Sequence, residues 1–376
     1  MRHRAAHAAR FKGVALLKGA APIAALLLVA AAPAPHALDA IIARAHFEGV
    51  AIAGDGAKPS VVATPGYAAR GVRNSASAVW RWASVTKQLT ATIAMQEVEA
   101  GRLDLDQPVT ATWPDWPQVF SDEITIRDLL RHTSGLADPN EDGPNLPDGM
   151  PAFYRPPTGE AASVGTMHYE ATHYCAEHPR GKPGGGFHYD NCDFIVLGAL
   201  LERITGTPFE QLVHERIAAP LGIDIGLFEP GTPPALHVRG IEKPGHGETL
   251  GDLGTYGAAG SAYGSPLALY AFDRALIDHR LVGPAATAQM WAGDPKLGAA
   301  ALGQWQYRIA LAGCAAPVSV VERRGEIGGI AIRNFILPDS GRALILFTRH
   351  GDFDFGEVWQ RAGFAYSALS AVGCGT

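Results

Sequence analysis

The chain has 376 residues, 47% of them hydrophobic and 18% charged, with a formal net charge of −6. That length and apolar share bury a large core, as one big domain or as a main domain with a satellite, and exclude a disordered chain. The acidic balance argues against nucleic acid and anionic lipid surfaces as partners.

In chain order, the first 38 residues stand apart. Arg2, Arg4, Arg10, Lys12 and Lys18 form a basic start, and "APIAALLLVAAA" follows as an apolar run shorter than the ~20 residues a membrane span needs. Small residues around Ala30 to Ala34 offer cleavage sites. The segment reads as an export signal, so the processed chain is expected in the periplasm or outside the cell, with no stable membrane insertion. Processing removes five positive charges and no carboxylate, which moves the net charge from −6 to about −11. Cys175, Cys192, Cys314 and Cys374 make an even set for an oxidising compartment, where three pairings are open. Sequence proximity favours Cys175 with Cys192 and Cys314 with Cys374.

After the leader, "FEGVAIAG" and "SVVATPGYAARG" read as two strands joined by a "DGAKP" turn. "WASVTKQLTATIA" opens a helix that runs to about Ala100, with Val85, Leu89, Thr92, Ile93 and Gln96 at helical spacing. "ITIRDLLRHTSGL" is a short helix ended by Ser134-Gly135, and the Pro/Gly-rich stretch from about Asp138 to Gly186 reads as a functional loop region or an insertion. Three further helices are expected in "NCDFIVLGALLERITG", "PFEQLVHERIAAPLG" and "SPLALYAFDRALIDHRLVG". "SVVERRGEIGG", "IAIRNFILP" and "RALILFTRHG" are strands, the last two joined by a "DSG" hairpin turn. The fold class is therefore α/β (α+β): one antiparallel sheet built from the N- and C-terminal parts, flanked by helices, with an all-helical subdomain inserted. The expected boundaries put residues 39–376 in one catalytic domain, its α/β part at about 39–105 and 255–376 and its helical part at about 106–254.

Two short constellations carry chemistry. Ser84 and Lys87 lie three residues apart at a helix start, where their side chains share one face. A serine hydroxyl becomes a nucleophile when a neighbour takes its proton, and a lysine does so when desolvation depresses its pKa. None of the other twelve serines has a lysine at +3, and no serine has glycines at both −2 and +2, so the nucleophile-elbow pattern is absent. The second constellation is Tyr189-Asp190-Asn191, between a glycine-rich turn and an amphipathic helix. A phenol beside an ammonium serves as a proton relay, and an asparagine amide bonds both a lysine and a substrate carbonyl.

Taken in order, "WASVTKQLTA", "ITIRDLLRHTSGL", "HYDN" with the helix after it, "GAAGSAYGSPLALYAFDRALIDHRLVG" and "GEIGG" resemble successive blocks of the serine β-lactamase-related family. That family holds class C β-lactamase-like enzymes, penicillin-binding D-alanyl-D-alanine carboxypeptidases, D-aminopeptidases and family VIII esterases. The resemblance covers about Phe47 to Gly351. It implies an α/β sheet plus an all-helical part, an acyl-enzyme mechanism, no metal and no cofactor. Carried over, Ser84 resembles the nucleophile, Lys87 its base partner, Tyr189 the second proton-transfer group and Asn191 the polar positioning residue. The backbone N–H groups of Ser84 and Gly329 resemble the oxyanion hole.

The third block departs from the family's pattern of lysine or histidine, any residue, then glycine. "RGEIGG" puts Glu326 there, followed by Ile327 and Gly328, and no lysine follows Lys296. A carboxylate at that place repels a substrate carboxylate by an amount that at ~4 Å is on the order of 1 to 4 kcal/mol. This argues against β-lactams and C-terminal D-alanine, and for an uncharged ester or a substrate with an amino group. The register Arg323-Arg324-Gly325 restores a cation but displaces the paired glycines, so the Glu326 register is preferred, with Arg333 or Arg349 as sources of compensating charge.

The expected partner is a small-molecule ester or a peptide or amide substrate; β-lactamase or D-alanyl-D-alanine carboxypeptidase activity is the alternative within enzymes. A rival reading is metal chemistry at His168, His173, Cys175 and His178, but these histidines are five apart, off a shared helical face, and no His-Glu-x-x-His is present. Another is a catalytically inactive binding protein, which would have no chemical reason to hold Ser84, Lys87, Tyr189 and Asn191 together. Composition and spacing leave the oligomeric state open.

Overall fold

A sheet with both faces covered is the frame of the molecule. The computed structural model describes residues 37–143, 151–160, 162, 166–232 and 237–374. The export-signal reading falls almost wholly on residues outside these. Helix α1 (Ala37–Arg44) leads into strands β1 (Val50–Gly54) and β2 (Val61–Ala63). Strands β3 (Trp80–Arg81), β4 (Ile225–Leu227) and β5 (Ala262–Gly264) form a small separate sheet, and β6 (Trp305–Ile309), β7 (Val318–Ile327), β8 (Ile330–Leu337) and β9 (Arg342–Thr348) complete the large one.

The large sheet is antiparallel in the order β6-β7-β8-β9-β1-β2, so the N-terminal strands add to the edge of the C-terminal ones. Every residue of β8 is buried, and alternate residues serve two cores. Ile332 and Ile336 face a core shared with helices α2 (Thr86–Glu99) and α6 (Cys192–Thr205), whereas Phe335 and Leu337 face one shared with α1 and the C-terminal helix α8 (Gly363–Gly373). A sheet buried on both faces reads as a continuous apolar run instead of an alternation.

Helix α2 buries more than the face marked by Val85, Leu89, Thr92, Ile93 and Gln96: Thr86 through Met95 are all buried, polar residues included. The helix runs through the core, and its hydroxyls are satisfied by backbone carbonyls: Thr92 Oγ1 donates to the Gln88 carbonyl at 2.7 Å, and Thr90 Oγ1 to the Ala258 carbonyl at 2.7 Å. Between α2 and α6, α3 (Ile126–Arg131) carries a Thr125–Asp128 capping box and ends earlier than expected, with His132 in the left-handed region. The described residues of the Asp138–Gly186 region include the short helices α4 (Thr166–Thr172) and α5 (Tyr174–Glu177). Cys175 on α5 is disulfide-bonded to Cys192 at the start of α6, and Cys314 to Cys374, the two pairs that proximity favoured. Helix α7 (Pro266–Ile277) begins at its Ser265 N-cap, whose side chain accepts from the Ala268 N–H. Among the described residues no helix is long and apolar enough to cross a membrane.

Candidate active site

Ser84 does not cap a helix. It sits in a 3₁₀ turn, Ala83–Val85, that feeds α2, and no side chain caps either element. Ala83 has φ +47°, a left-handed conformation at a residue with a Cβ, which costs about 1–3 kcal/mol and persists only where surroundings impose it. The surroundings here are the Trp82 N–H donating to the Ala262 carbonyl at 2.8 Å and Thr86 Oγ1 donating to the Ala83 carbonyl at 2.6 Å. The turn is thereby locked to β5 with the half-buried Ser84 side chain turned to a cavity.

Lys87, one turn on, is fully buried. Its Nζ donates to Asn191 Oδ1 at 2.7 Å and to the Ala259 carbonyl at 2.8 Å, and lies 3.4 Å from Ser84 Oγ. Burial pulls its pKa below the ordinary lysine value, with Arg323 adding to the effect and Tyr189 opposing it. Tyr189 Oη donates to Ser84 Oγ at 2.7 Å. Burial opposes ionisation of the phenol, but Arg323 and Lys87 outweigh it and hold Tyr189 below the ordinary tyrosine value. The structure therefore gathers Ser84, Lys87, Tyr189 and Asn191 into one contact network.

The third block is corrected. Arg323, not Glu326, provides the group beside the serine: its Nε donates to the Ser84 carbonyl and its Nη2 to Tyr189 Oη, each at 2.8 Å, and it is 1% exposed. Arg323-Arg324-Gly325 is thus the register that meets the nucleophile turn. Gly325 explains why: a Cβ there would lie 2.5 Å from the Trp82 carbonyl oxygen, so only glycine lets β7 run this close. Pairing of β6 with β7 stops at Trp305↔Glu322, which leaves the rest of that β7 edge free to pass the Ser84 turn.

Gly328 and Gly329 form the β7–β8 turn, where a Cβ on Gly329 would lie 2.5 Å from the Ile241 nitrogen. Gly329 is therefore packed beneath the Gly240–Ile241 backbone, and Gly325 is the backbone that passes the Trp82–Val85 turn holding Ser84. The resemblance gave Gly329 an oxyanion-hole N–H, whereas here Gly329 belongs to the hairpin and does not line the cavity; Gly328 does. Arg333 and Arg349, considered as compensating charges, do not line the cavity. Arg333 lies 3.5 Å from Glu322, and Arg349 Nε donates to the Arg239 carbonyl at 2.7 Å.

The cavity in front of Ser84 measures about 680 Å³ and is lined in part by Tyr189, Asn191, Trp305, Arg323, Glu326 and Gly328. Asn140 and Pro151 also line it, so the Asp138–Gly186 region does contribute a wall. Behind that wall, Asn191 Nδ2 donates to Tyr154 Oη at 2.8 Å, and Tyr154 stacks on Tyr256 with centroids 3.9 Å apart. Sequence reasoning missed Tyr154, Tyr256 and Trp305, for which no local motif exists. The histidines weighed for zinc are otherwise engaged: His168, His173 and His178 stack on Trp113, Tyr169 and Tyr174, and Cys175 is in its disulfide. Among the described residues, one group brings three possible ligand atoms together, His132, Asp190 and Asp193, all buried within 4.8 Å of one another.

A sheet with helices on both faces and a serine meeting a buried lysine, a tyrosine and an arginine define a member of the serine β-lactamase-related superfamily. The chain belongs to the Beta-lactamase family, whose model matches residues 36–364. It is similar to esterase EstB of Burkholderia gladioli, 33% identical over 196 aligned positions, in a match that covers 46% of this chain and 48% of that protein. The chain spans about half the length of the curated relatives it matches. Its fold is shared with the D-amino acid amidase of Ochrobactrum anthropi SV3 (TM-score 0.71, 22% identity, covering 89% of this chain and 97% of that one). A D-stereospecific amidohydrolase from Streptomyces sp. is also similar (TM-score 0.67, 25% identity, covering 90% of this chain and 98% of that one).

Proposed function

We propose that the protein is an exported serine hydrolase that forms an acyl-enzyme on Ser84 and cleaves a carboxylic ester or a small amide or D-amino-acid peptide. The observation that carries this reading is the convergence on Ser84 Oγ of Tyr189 Oη at 2.7 Å and the desolvated Lys87 Nζ at 3.4 Å. With both pKa values depressed, the Lys87–Tyr189 pair gives up one proton more readily than free lysine and tyrosine do, and the form that has given it up, neutral amine with phenol or ammonium with phenolate, is the base. The Ser84 proton passes to this pair as Oγ bonds to the substrate carbonyl carbon, and the pair returns it to the leaving oxygen or nitrogen. A water then gives a proton to the same pair as its oxygen bonds to the acyl carbon, and when the bond from that carbon to Oγ breaks the pair returns the proton to Ser84 Oγ. Backbone N–H groups at Ser84 and on the free β7 edge near Gly325 and Glu326 stabilise the oxyanion.

The charge around the cavity supports an uncharged or amine-bearing substrate. All three guanidinium nitrogens of Arg324 are engaged, Nε with Glu322 at 2.7 Å and the other two with Glu357 at 3.0 and 2.5 Å. Arg323 is committed to Ser84 and Tyr189, whereas Glu326 lines the cavity and is exposed. The basic, apolar leader and the two disulfides support export.

The test is intact mass after treating the protein and its Ser84→Ala variant with a fluorophosphonate and, separately, with a penicillin. One fluorophosphonate adduct on the wild type and none on the variant is the expected result, and absence of a penicillin adduct supports the ester or amine-bearing substrate. No adduct on the wild type from either reagent overturns the hydrolase reading.

A further inference from the structure

Behind Tyr189 lies a buried acidic cluster that the mechanism above does not use. Asp190 and Asp193 are 1% and 0% exposed, and His132 is 4% exposed. Asp190 Oδ1 accepts the Asp193 N–H at 2.7 Å, and Ser134 Oγ donates to Asp193 Oδ1. Asp193 Oδ2 is 3.3 Å from His132 Nδ1, and Asp190 Oδ2 is 3.9 Å from it. No lysine or arginine among the described residues is bonded to either carboxyl group. Two adjacent carboxylates without a counter-ion in a dry site do not both ionise.

His132 does not neutralise them. Its Nδ1 accepts the Asp190 N–H at 3.4 Å, its Nε2 is buried without a hydrogen-bond partner, and its ring lies against Tyr189 with centroids 4.5 Å apart. Because Nδ1 accepts, the ring is not an imidazolium and carries its single proton on Nε2; burial, then Lys87 and Arg323, hold His132 well below the ordinary histidine value. With Nδ1 an acceptor, Asp193 Oδ2 would face it lone pair to lone pair unless that oxygen carries a proton. Burial raises both carboxyl groups above the ordinary range, Asp193 further because Asp190 lies beside it.

We infer that Asp190 and Asp193 share one proton, kept on Asp193, and with an uncharged His132 form a positioning unit that backs the Tyr189 ring and sets the charge facing Lys87. Every charged neighbour bears on this. Lys87 on α2 and Arg323 on β7 contribute positive charge, Asp128 on α3 and Asp138 in the following loop contribute negative charge, and His188 and Tyr189 precede the pair on its own segment. The anionic Asp190 favours the ammonium form of Lys87. Removing that charge lowers the Lys87 pKa, so the limb on which the Lys87–Tyr189 pair loses its proton moves to lower pH.

Two readings test this. The infrared difference between wild type and Asp193→Asn at neutral pH is expected to show a protonated carboxyl C=O stretch lost from the variant; a difference with only carboxylate bands overturns the shared proton. The rate of fluorophosphonate labelling of Ser84 is measured against pH. The Asp190→Asn/Asp193→Asn double variant, in which no carboxylate is left to take over the charge, is expected to move the limb to lower pH by on the order of one unit, whereas Asp193→Asn alone, whose amide mimics the protonated acid, leaves it in place. A folded double variant whose limb superimposes on the wild type overturns the role toward Lys87. The pH reading rests on Ser84 being the nucleophile, but the infrared reading does not, so a failure of the hydrolase proposal is distinguishable from a failure of this one. The infrared reading uses Asp193→Asn alone and stays valid if the double variant does not fold.

Discussion

Replacing Arg323 by glutamine removes a guanidinium that makes two 2.8 Å hydrogen bonds, one to the Ser84 carbonyl and one to Tyr189 Oη. A hydrogen bond involving a charged group contributes roughly 1.5–3 kcal/mol, and only the bond to Tyr189 acts directly on the reacting proton. Losing that bond corresponds to a fall of about 10- to 150-fold in the second-order rate of Ser84 labelling. The pH profile moves as well. Arg323 is the foremost of the groups that hold the Tyr189 phenol down against its burial, so without it the phenol pKa rises and the limb shifts to higher pH. Arg323→Lys keeps the charge but not both bonds, and falls between wild type and Arg323→Gln. The assay is fluorophosphonate labelling followed by intact mass across pH 5 to 9 at roughly physiological ionic strength, with circular dichroism to establish folding. A folded Arg323→Gln that labels at the wild-type rate with an unmoved limb refutes the assignment of Arg323 to the proton pair.

Three further outcomes follow from particular contacts. Lys87→Met is expected to lower labelling by about 10²- to 10⁴-fold with little change in melting temperature, because relief of a buried charge offsets the bonds lost by Asn191 Oδ1 and the Ala259 carbonyl; labelling and a thermal melt on the same sample check both halves. Gly325→Ala drives a Cβ to 2.5 Å from the Trp82 carbonyl oxygen, so β7 must move off the nucleophile turn. Denaturant unfolding is expected to show a loss of about 1–3 kcal/mol, with a drop in labelling rate. Asp273 is fully buried, its Oδ2 has no hydrogen-bond partner, and burial raises its pKa well above the ordinary value. A raised folded-state pKa contributes stability below the unfolded value of about 3.9 that is lost as pH rises toward the folded value. Asp273→Asn therefore gains on the wild type from pH 4 to 8 by at most about 1.4 kcal/mol per unit, read as a widening gap between their melting temperatures.

Ser84, Lys87, Tyr189 and Asn191 could be singled out in the sequence because each pair is local. Three residues of helix bring serine to lysine, and a two-residue spacing brings tyrosine and asparagine to the start of α6. The strands were also visible, since a sheet covered on both faces shows as mostly apolar runs such as "IAIRNFILP", interrupted there by Arg333 and Asn334. The buried character of α2 was not visible, because its threonines look polar until their hydroxyls are seen returning to backbone carbonyls.

The third block shows where reading along the chain stops. Both registers, Glu326-Ile327-Gly328 and Arg323-Arg324-Gly325, fit a cation-or-substitute pattern followed by glycine, and the glycine pair favoured the first. Period-two alternation puts residues three apart on opposite faces of a strand, so the choice reverses which charge meets the nucleophile. The amino-acid sequence by itself determined the antiparallel strands, the helix that carries Lys87 with Ser84 just ahead of it, and the chemistry available to them. Only the tertiary structure decided that β7 passes the Ser84 turn at Gly325, which brings Arg323 onto Tyr189 and sends Gly328 and Gly329 to the hairpin. The physical reason is that a close approach between two backbones distant in sequence is set by what a Cβ would strike, and that is a property of the partner segment, absent from the strand's own residues.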